Sequence, residues 1–208
     1  MLNFGFLVNI SEKIDPIINW DIRAFHFINE TLSNPIFDAV LPLLREKFIW
    51  IPLYLGLIYF WLKTYGRKGA YLILALAITV AVSDQISAHI IKQAFHRLRP
   101  CQNIEGIHHI IRRIDCGTGF SFVSSHAANH FAIAAFVALW FRKNYPKIEP
   151  WLYFWAGIIS FAQVYIGVHY PLDVLSGALI GLILGWMAAY WTLRILKIPE
   201  KIPVQKKY

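Results

Sequence analysis

The chain has 208 residues, of which 57% are hydrophobic and only 15% charged, with a mean hydropathy of +0.49. A soluble domain carries roughly 25% charged residues, so the composition excludes one and describes a single integral membrane domain. The formal charge of +8 does not indicate nucleic acid: the cations sit between apolar runs, with no basic stripe interleaved with stacking aromatics, and most of them are assigned to topology.

The opening MLNFGFLVN lacks a basic stretch and a small-residue cleavage site, so a cleaved signal peptide is not expected. Residues 1–47 form a mixed segment. Phe25, Phe27, Ile28, Leu32, Ile36, Phe37, Val40 and Leu41 recur at near-helical spacing among Asp21, Arg23, Glu30 and Asp38. That pattern predicts one or two amphipathic helices lying at the membrane interface. A tilted span over about 25–44 is the alternative, and it changes the number of membrane helices from about five to six.

The domain proper is expected over 48–196. A first span covers 48–62, short against the roughly 20 residues a bilayer asks for, so its ends snorkel. Trp50, Tyr59 and Trp61 suit interfacial anchors. The second span, 69–91, carries Ser83, Asp84, Gln85 and Ser87, which must face protein or water because a lipid-facing carboxylate is costly. A polar loop rich in His, Arg and Gly follows over 92–123. Further spans are expected at 124–141, 151–168 and 171–196, then a basic tail over 197–208.

Lysines and arginines set the orientation. Lys63, Arg67 and Lys68, then Arg142, Lys143 and Lys147, and the tail share one side, which becomes cytoplasmic. The 92–123 loop and the 168–171 hinge then share the outer face of a bacterial inner membrane. The cations of that loop run against the rule, so they serve something other than topology. Cys101 and Cys116 both lie in it, and an oxidising compartment would let them close the segment as a disulfide; chance proximity is the alternative.

Three clusters converge on the outward face. Between the last two spans, His169 precedes Pro171 and Asp173. Proline suits the first turn of a helix, where its missing N–H costs nothing. His169 then sits at the rim with Asp173 about one turn below. A carboxylate there fixes the imidazole tautomer and raises the basicity of its other nitrogen, as a nucleophilic or general-base histidine requires. The same pair at an interface can also be satisfied by water alone. Lys92 and Arg99 leave the second span, and Ser124, Ser125 and His126 enter the third. A helix start capped by Ser124 offers free N–H groups and a positive dipole end, while a guanidinium clamps two oxygens at once. The anion implied is a phosphoryl group.

These residues resemble the type 2 phosphatidic acid phosphatase (PAP2) superfamily of integral membrane lipid phosphatases, relatives of the vanadium haloperoxidases. The first motif of that family, a lysine, six residues and Arg-Pro, is matched by Lys92, Arg99 and Pro100. The second, Pro-Ser-Gly-His, reads Val123-Ser124-Ser125-His126. The third, Ser-Arg, five residues, His, three residues and Asp, reads Ala162-Gln163, His169 and Asp173. The resemblance covers about 92–177 and implies an all-α, polytopic transmembrane bundle that needs no metal or cofactor. It implies that His169 attacks phosphorus to give a phosphohistidine, with Asp173 orienting it. His126 would protonate the leaving group and then activate water. Lys92, Arg99, Ser124 and the Ser125 N–H would hold the phosphate oxygens. His126 and His130, four apart, can mimic a metal pair, but the second motif argues against it.

Two departures matter. Gln163 replaces an arginine that grips the phosphate, leaving one cationic contact unfilled; Arg97, Arg112 and Arg113 are candidates to fill it, with Arg97 favoured because it lies within the first motif. Ser125 replaces a glycine, which restricts the backbone but keeps its N–H. The expected function is hydrolysis of a terminal phosphate on undecaprenyl diphosphate, phosphatidylglycerol phosphate, phosphatidic acid or lipid A, with the lipid bilayer as a further partner and no nucleic acid. A vanadate-type haloperoxidase is opposed by the membrane spans. A phospholipid-binding or flipping protein without chemistry is the rival that Gln163 favours; His126, His169 and Asp173 favour the enzyme. Selection among lipids is assigned to the loop 101–123, with His108, His109, Arg112 and Arg113.

Overall fold

A computed structural model describes residues 16–102 and 110–197. His108, His109, the tail beyond Lys197 and the first fifteen residues lie outside the described residues. Helix α1 (16–26) runs into a π-helical turn, Phe27–Thr31, and α2 spans Pro35–Leu44. A 3-10 turn, Lys47–Trp50, leads into α3 (Ile51–Tyr65). Helix α4 (Arg67–Asp84) continues through a π-helical stretch, Gln85–Ile91, to Lys92–Phe95. Then come α5 (Ser125–Phe141), α6 (Glu149–Tyr165) and α7 (Pro171–Leu196). The described residues contain no strand.

Local chemistry sets the helix ends. Asn34 caps α2 by accepting from the N–H groups of Ile36 and Phe37 at 3.1 and 2.9 Å, with Pro35 at the first helical position. Helix α7 also begins at a proline, and the Asp173 carboxylate accepts from the Tyr170 N–H at 2.8 Å. Helix α6 ends at Tyr165, three residues before the expected Val168, because Gly167 takes φ 88° and breaks the helix. The break frees the hinge 166–170 to present His169.

The bundle is organised on α5 and α7. Gly177, Gly181 and Gly185 lie one turn apart on α7, and a Cβ on any of them would strike the carbonyl oxygen of Ser124, Ala128 or Ala132 on α5. Small residues on both sides let the backbones touch, the usual way membrane helices gain contact without a hydrophobic drive. At the far end Trp61, Leu72, Phe136, Trp140 and Ala189 close a second cluster. The outer faces expose Leu55, Leu74, Ile78, Leu179 and Ile183, an apolar exterior suited to hydrocarbon.

Among the described residues, three helical stretches are long and apolar enough to cross a membrane: Lys47–Tyr65, Arg67–Phe95 and Pro171–Leu196. Helices α5 and α6 are apolar but have 17 residues each, about 25 Å at 1.5 Å per residue. Within α4, Asp84 accepts from Asn129 Nδ2 of α5 at 3.0 Å, so this carboxylate faces protein. Helix α1 and the π-helical turn after it bury Asp21, Phe25 and Asn29 against the bundle. Asn29 binds the Tyr165 carbonyl at 2.8 Å and the backbone of Ile111 on both sides, stitching α1 to the end of α6 and to the polar loop.

Candidate active site

The site forms where α4 ends, α5 and α7 begin, and the 166–170 hinge turns. His96 takes a left-handed conformation and stops α4, which sends Arg97 inward. Its two terminal nitrogens each reach a buried carboxylate at 2.6 Å, Asp173 Oδ1 and Asp21 Oδ2, and its plane lies 3.9 Å over the Tyr170 ring. Asp21 also accepts from the Leu172 N–H at 2.8 Å, so α1 supplies an acid to the positive end of α7. Burial, outweighing Arg97 and the Leu172 N–H, raises the Asp21 pKa above its ordinary value. Burial opposes the charge of Arg97, but Asp173 and Asp21 together outweigh it and push that pKa up.

Asp173 is fully buried. Its Oδ2 accepts from the Tyr170 N–H and from Ser121 Oγ, and lies 3.5 Å from His169 Nδ1. Ser121 Oγ is also 3.5 Å from that nitrogen. The Nδ1 edge of His169 therefore faces oxygen, and Nε2 takes no part in these contacts. The hinge fixes the ring from behind, since the Val168 and His169 N–H groups both donate to the Gln163 carbonyl, at 3.2 and 3.3 Å. Burial dominates the charge of Asp173 and, together with Lys92 and Arg99, holds the His169 pKa below its usual value. That direction favours the neutral ring at pH 7.

Ser124 caps α5, with its Oγ 3.5 Å from the Ala127 N–H and its own N–H on the Asp173 carbonyl at 3.0 Å. Ser125 Oγ meets Ser87 Oγ at 3.0 Å. His126 lies one residue further on, in reach of the charges of Lys92, Arg45 and His169. His130 stacks parallel to it at 6.3 Å and donates Nδ1–H to the His126 carbonyl at 2.8 Å; that nitrogen is engaged as a donor and unavailable to a metal. Lys92, Arg99, Ser124, His126, His169 and Asp173 thus come together at one rim.

Side-chain contacts define the places of the other arginines, of Arg99 itself, and of Gln163 and the cysteines. Arg97 is held by Asp21 and Asp173. Arg112 donates to the Cys101 carbonyl at 2.7 Å. Arg113 binds the Tyr165 carbonyl and Ser33 Oγ, both at 2.7 Å, as well as Asp38. Arg99 donates through Nε and Nη1 to the carbonyls of Gly119 and Cys116; burial, then the charge of Arg45, lowers its pKa. Gln163 is fully buried, with Oε1 unpartnered and Nε2 3.5 Å from the Ile159 carbonyl. Cys101 and Cys116 form a disulfide, and the Cys101 N–H donates to the Gly167 carbonyl at 3.2 Å, so the bridge anchors the loop to the hinge. Sequence reasoning missed Asp21, Ser121 and Arg45, none of which belongs to a motif.

The model of the PAP2 superfamily matches residues 68–197, a stretch that holds all three motifs. The chain belongs to the PAP2 superfamily. The lipid A 4'-phosphatase of Bacteroides thetaiotaomicron is 33% identical over 170 residues, covering 80% of this chain and 74% of that protein. Among solved structures, Aquifex aeolicus LpxE superposes with a TM-score of 0.62 at 25% identity, covering 81% of this chain and 93% of the other. A transmembrane PAP2 type phosphatidylglycerolphosphate phosphatase from Bacillus subtilis gives 0.66 at 18% identity over 92% and 94%, which shows the shared fold. This PAP2 chain is a phosphatase of the lipid-phosphatase type, built on membrane helices.

Proposed function

We propose that this PAP2 phosphatase removes a terminal phosphate monoester from a lipid at the periplasmic face of a bacterial inner membrane, with the 4'-phosphate of lipid A as the leading substrate. The observation that carries the reading is the buried His169, backed by Asp173 and Ser121, beside His126 and two cations. The named activity of the Bacteroides relative points to the lipid. Five helices, α3 to α7, cross the bilayer in this reading, with α1 and α2 at the interface. Lys63, Arg67, Lys68, Arg142, Lys143, Arg194 and Lys197 gather at the opposite, cytoplasmic end.

In the reaction His169 Nε2 forms a bond to phosphorus as the bond to the lipid oxygen breaks, and His126 gives that oxygen its proton. Lys92, Arg99 and the N–H groups at the start of α5 hold the phosphate oxygens. A water then attacks phosphorus, His126 takes its proton, the P–N bond breaks and inorganic phosphate leaves. Each step balances in protons and charge without a metal or redox partner. The uncharged Gln163 favours one rival, a lipid-binding protein without chemistry.

The test is phosphate release in detergent with EDTA, from lipid A, undecaprenyl diphosphate, phosphatidylglycerol phosphate and phosphatidic acid. Release that is fastest from lipid A, survives the chelator and vanishes in His169→Ala is expected. Lipid binding with no release from any of them would replace the enzyme with the rival.

A further inference from the structure

Arg45 follows the last residue of α2 and caps that helix. Leu41, one turn earlier and on the same face, packs among Cys101, Ala162, Ile166 and Val168. That face of α2 is therefore turned toward the hinge and the disulfide that border the site. The same end is tied to the His126 side. The Leu44 carbonyl accepts from Trp50 Nε1 at 2.7 Å, Trp50 packs edge-on against Trp155 at 5.5 Å, and Trp155 packs against His130 at 5.1 Å, which stacks on His126.

Arg45 Nε is buried and has no hydrogen-bond partner, and no ion pair holds the side chain among the described residues. Burial lowers its pKa, with exposed Glu46 too weak to offset it. Its charge acts on both Arg99 and His126. The buried carboxylate of the site, Asp173, is already bound to Arg97. Arg99 lies within the charge of both Lys92 and Arg45, and the acids that reach this group, Asp173 and Asp84, are engaged by Arg97 and Asn129, so the three cations hold an uncompensated charge that an arriving anion would offset.

We propose that Arg45 is a catalytic residue that grips the transferring phosphoryl group, filling the place left uncharged at Gln163, and that the resulting trio of cations selects a dianionic terminal phosphate over a monoanionic diester. The proposal rests on the phosphatase reading above and deepens it. The cation comes from the N-terminal helices rather than from α6, so the site is complete only when α2 is docked.

The test compares Arg45→Gln, Arg45→Lys and Arg45→Gln/Gln163→Arg with wild type, as full chains in detergent. Two readouts are taken: steady-state hydrolysis of lipid A, and the rise in melting temperature caused by orthovanadate. Arg45→Gln is expected to cut kcat by about 100-fold or more and to abolish the vanadate shift, as loss of a transition-state donor does. Arg45→Lys should retain part of both. Adding Gln163→Arg to Arg45→Gln should restore at least about tenfold, because it returns the charge from the other wall. Unchanged kcat and vanadate shift in Arg45→Gln would overturn the proposal. So would a loss that is no smaller in Arg45→Lys, is not rescued by Gln163→Arg and follows a lowered melting temperature. If wild type hydrolyses no lipid, the phosphatase reading fails, and the vanadate shift alone decides whether Arg45 holds the anion.

Discussion

Arg97 shows how one side chain can serve a site through the groups it holds. It joins Asp21 of α1 to Asp173 of α7, so the carboxylate behind His169 is held by a contact that spans most of the chain. Removing one partner of such a buried network leaves charge uncompensated. Asp21→Ala is expected to lower stability by about 3 kcal/mol, read by thermal unfolding in detergent. Asp21→Asn keeps the shape and should lower kcat more than it raises KM, because it loosens Asp173 and not the lipid. An Asp21→Asn enzyme with wild-type kcat would show that Asp173 is held without it. The histidine gives a pH prediction. The folded pKa of His169 lies below the ordinary 6.5, so the neutral, reactive ring is fully present at pH 7. Activity and the stability linked to this ring both persist above pH 6.5 and are lost as the pH falls through the depressed value. The acidic limb of the kcat/KM profile should therefore fall below pH 6.5, and a limb above it would contradict the assignment. Lys92, Arg99, His126, His169 and Asp173 were legible because their spacing is local and fixed. Asp21, Ser121 and Arg45 were not, because each gains its place only through tertiary contact.

Among the elements, the α5–α7 contact governs the site, since both helices begin in it. Close approach at Gly181 leaves no room for a side chain against the Ala128 carbonyl. Gly181→Leu should force the helices apart, costing about 1–3 kcal/mol in stability and loosening the rim, so activity falls along with the melting temperature. A stable, fully active Gly181→Leu enzyme would show that this contact does not position the site. Helix positions could be read from apolar runs bounded by charge, and the start of α7 from its proline. The end of α6 could not, because an apolar stretch continues to Val168 while Gly167 turns the backbone out of the helix. Nor did periodicity reveal that Lys92 follows a π-helical stretch, Gln85–Ile91, since one widened turn leaves the apolar run intact.

At the scale of the whole molecule, composition was enough to place the chain among membrane proteins, and the exposed apolar faces of α3, α4 and α7 agree with it. The engagement of the N-terminal helices was less legible. Asp21 read as part of the polar face of an amphipathic helix, yet it and the neighbouring Asn29 are buried against the bundle, where they bind Arg97, Leu172, Tyr165 and Ile111. A site assembled from α1, α2, α4, α5 and α7 depends on the bundle as a whole, and the disulfide between Cys101 and Cys116 joins its loop to the hinge. In the proposed reaction His169 carries the phosphoryl group between lipid and water. The most direct test of that role is to mix wild type with lipid A labelled in the 4'-phosphate, quench in alkali within a turnover, and map the label by proteolysis. Label on the peptide that contains His169, absent in His169→Ala, is the expected result. Phosphate release with no labelled protein, persisting in His169→Ala, would contradict it.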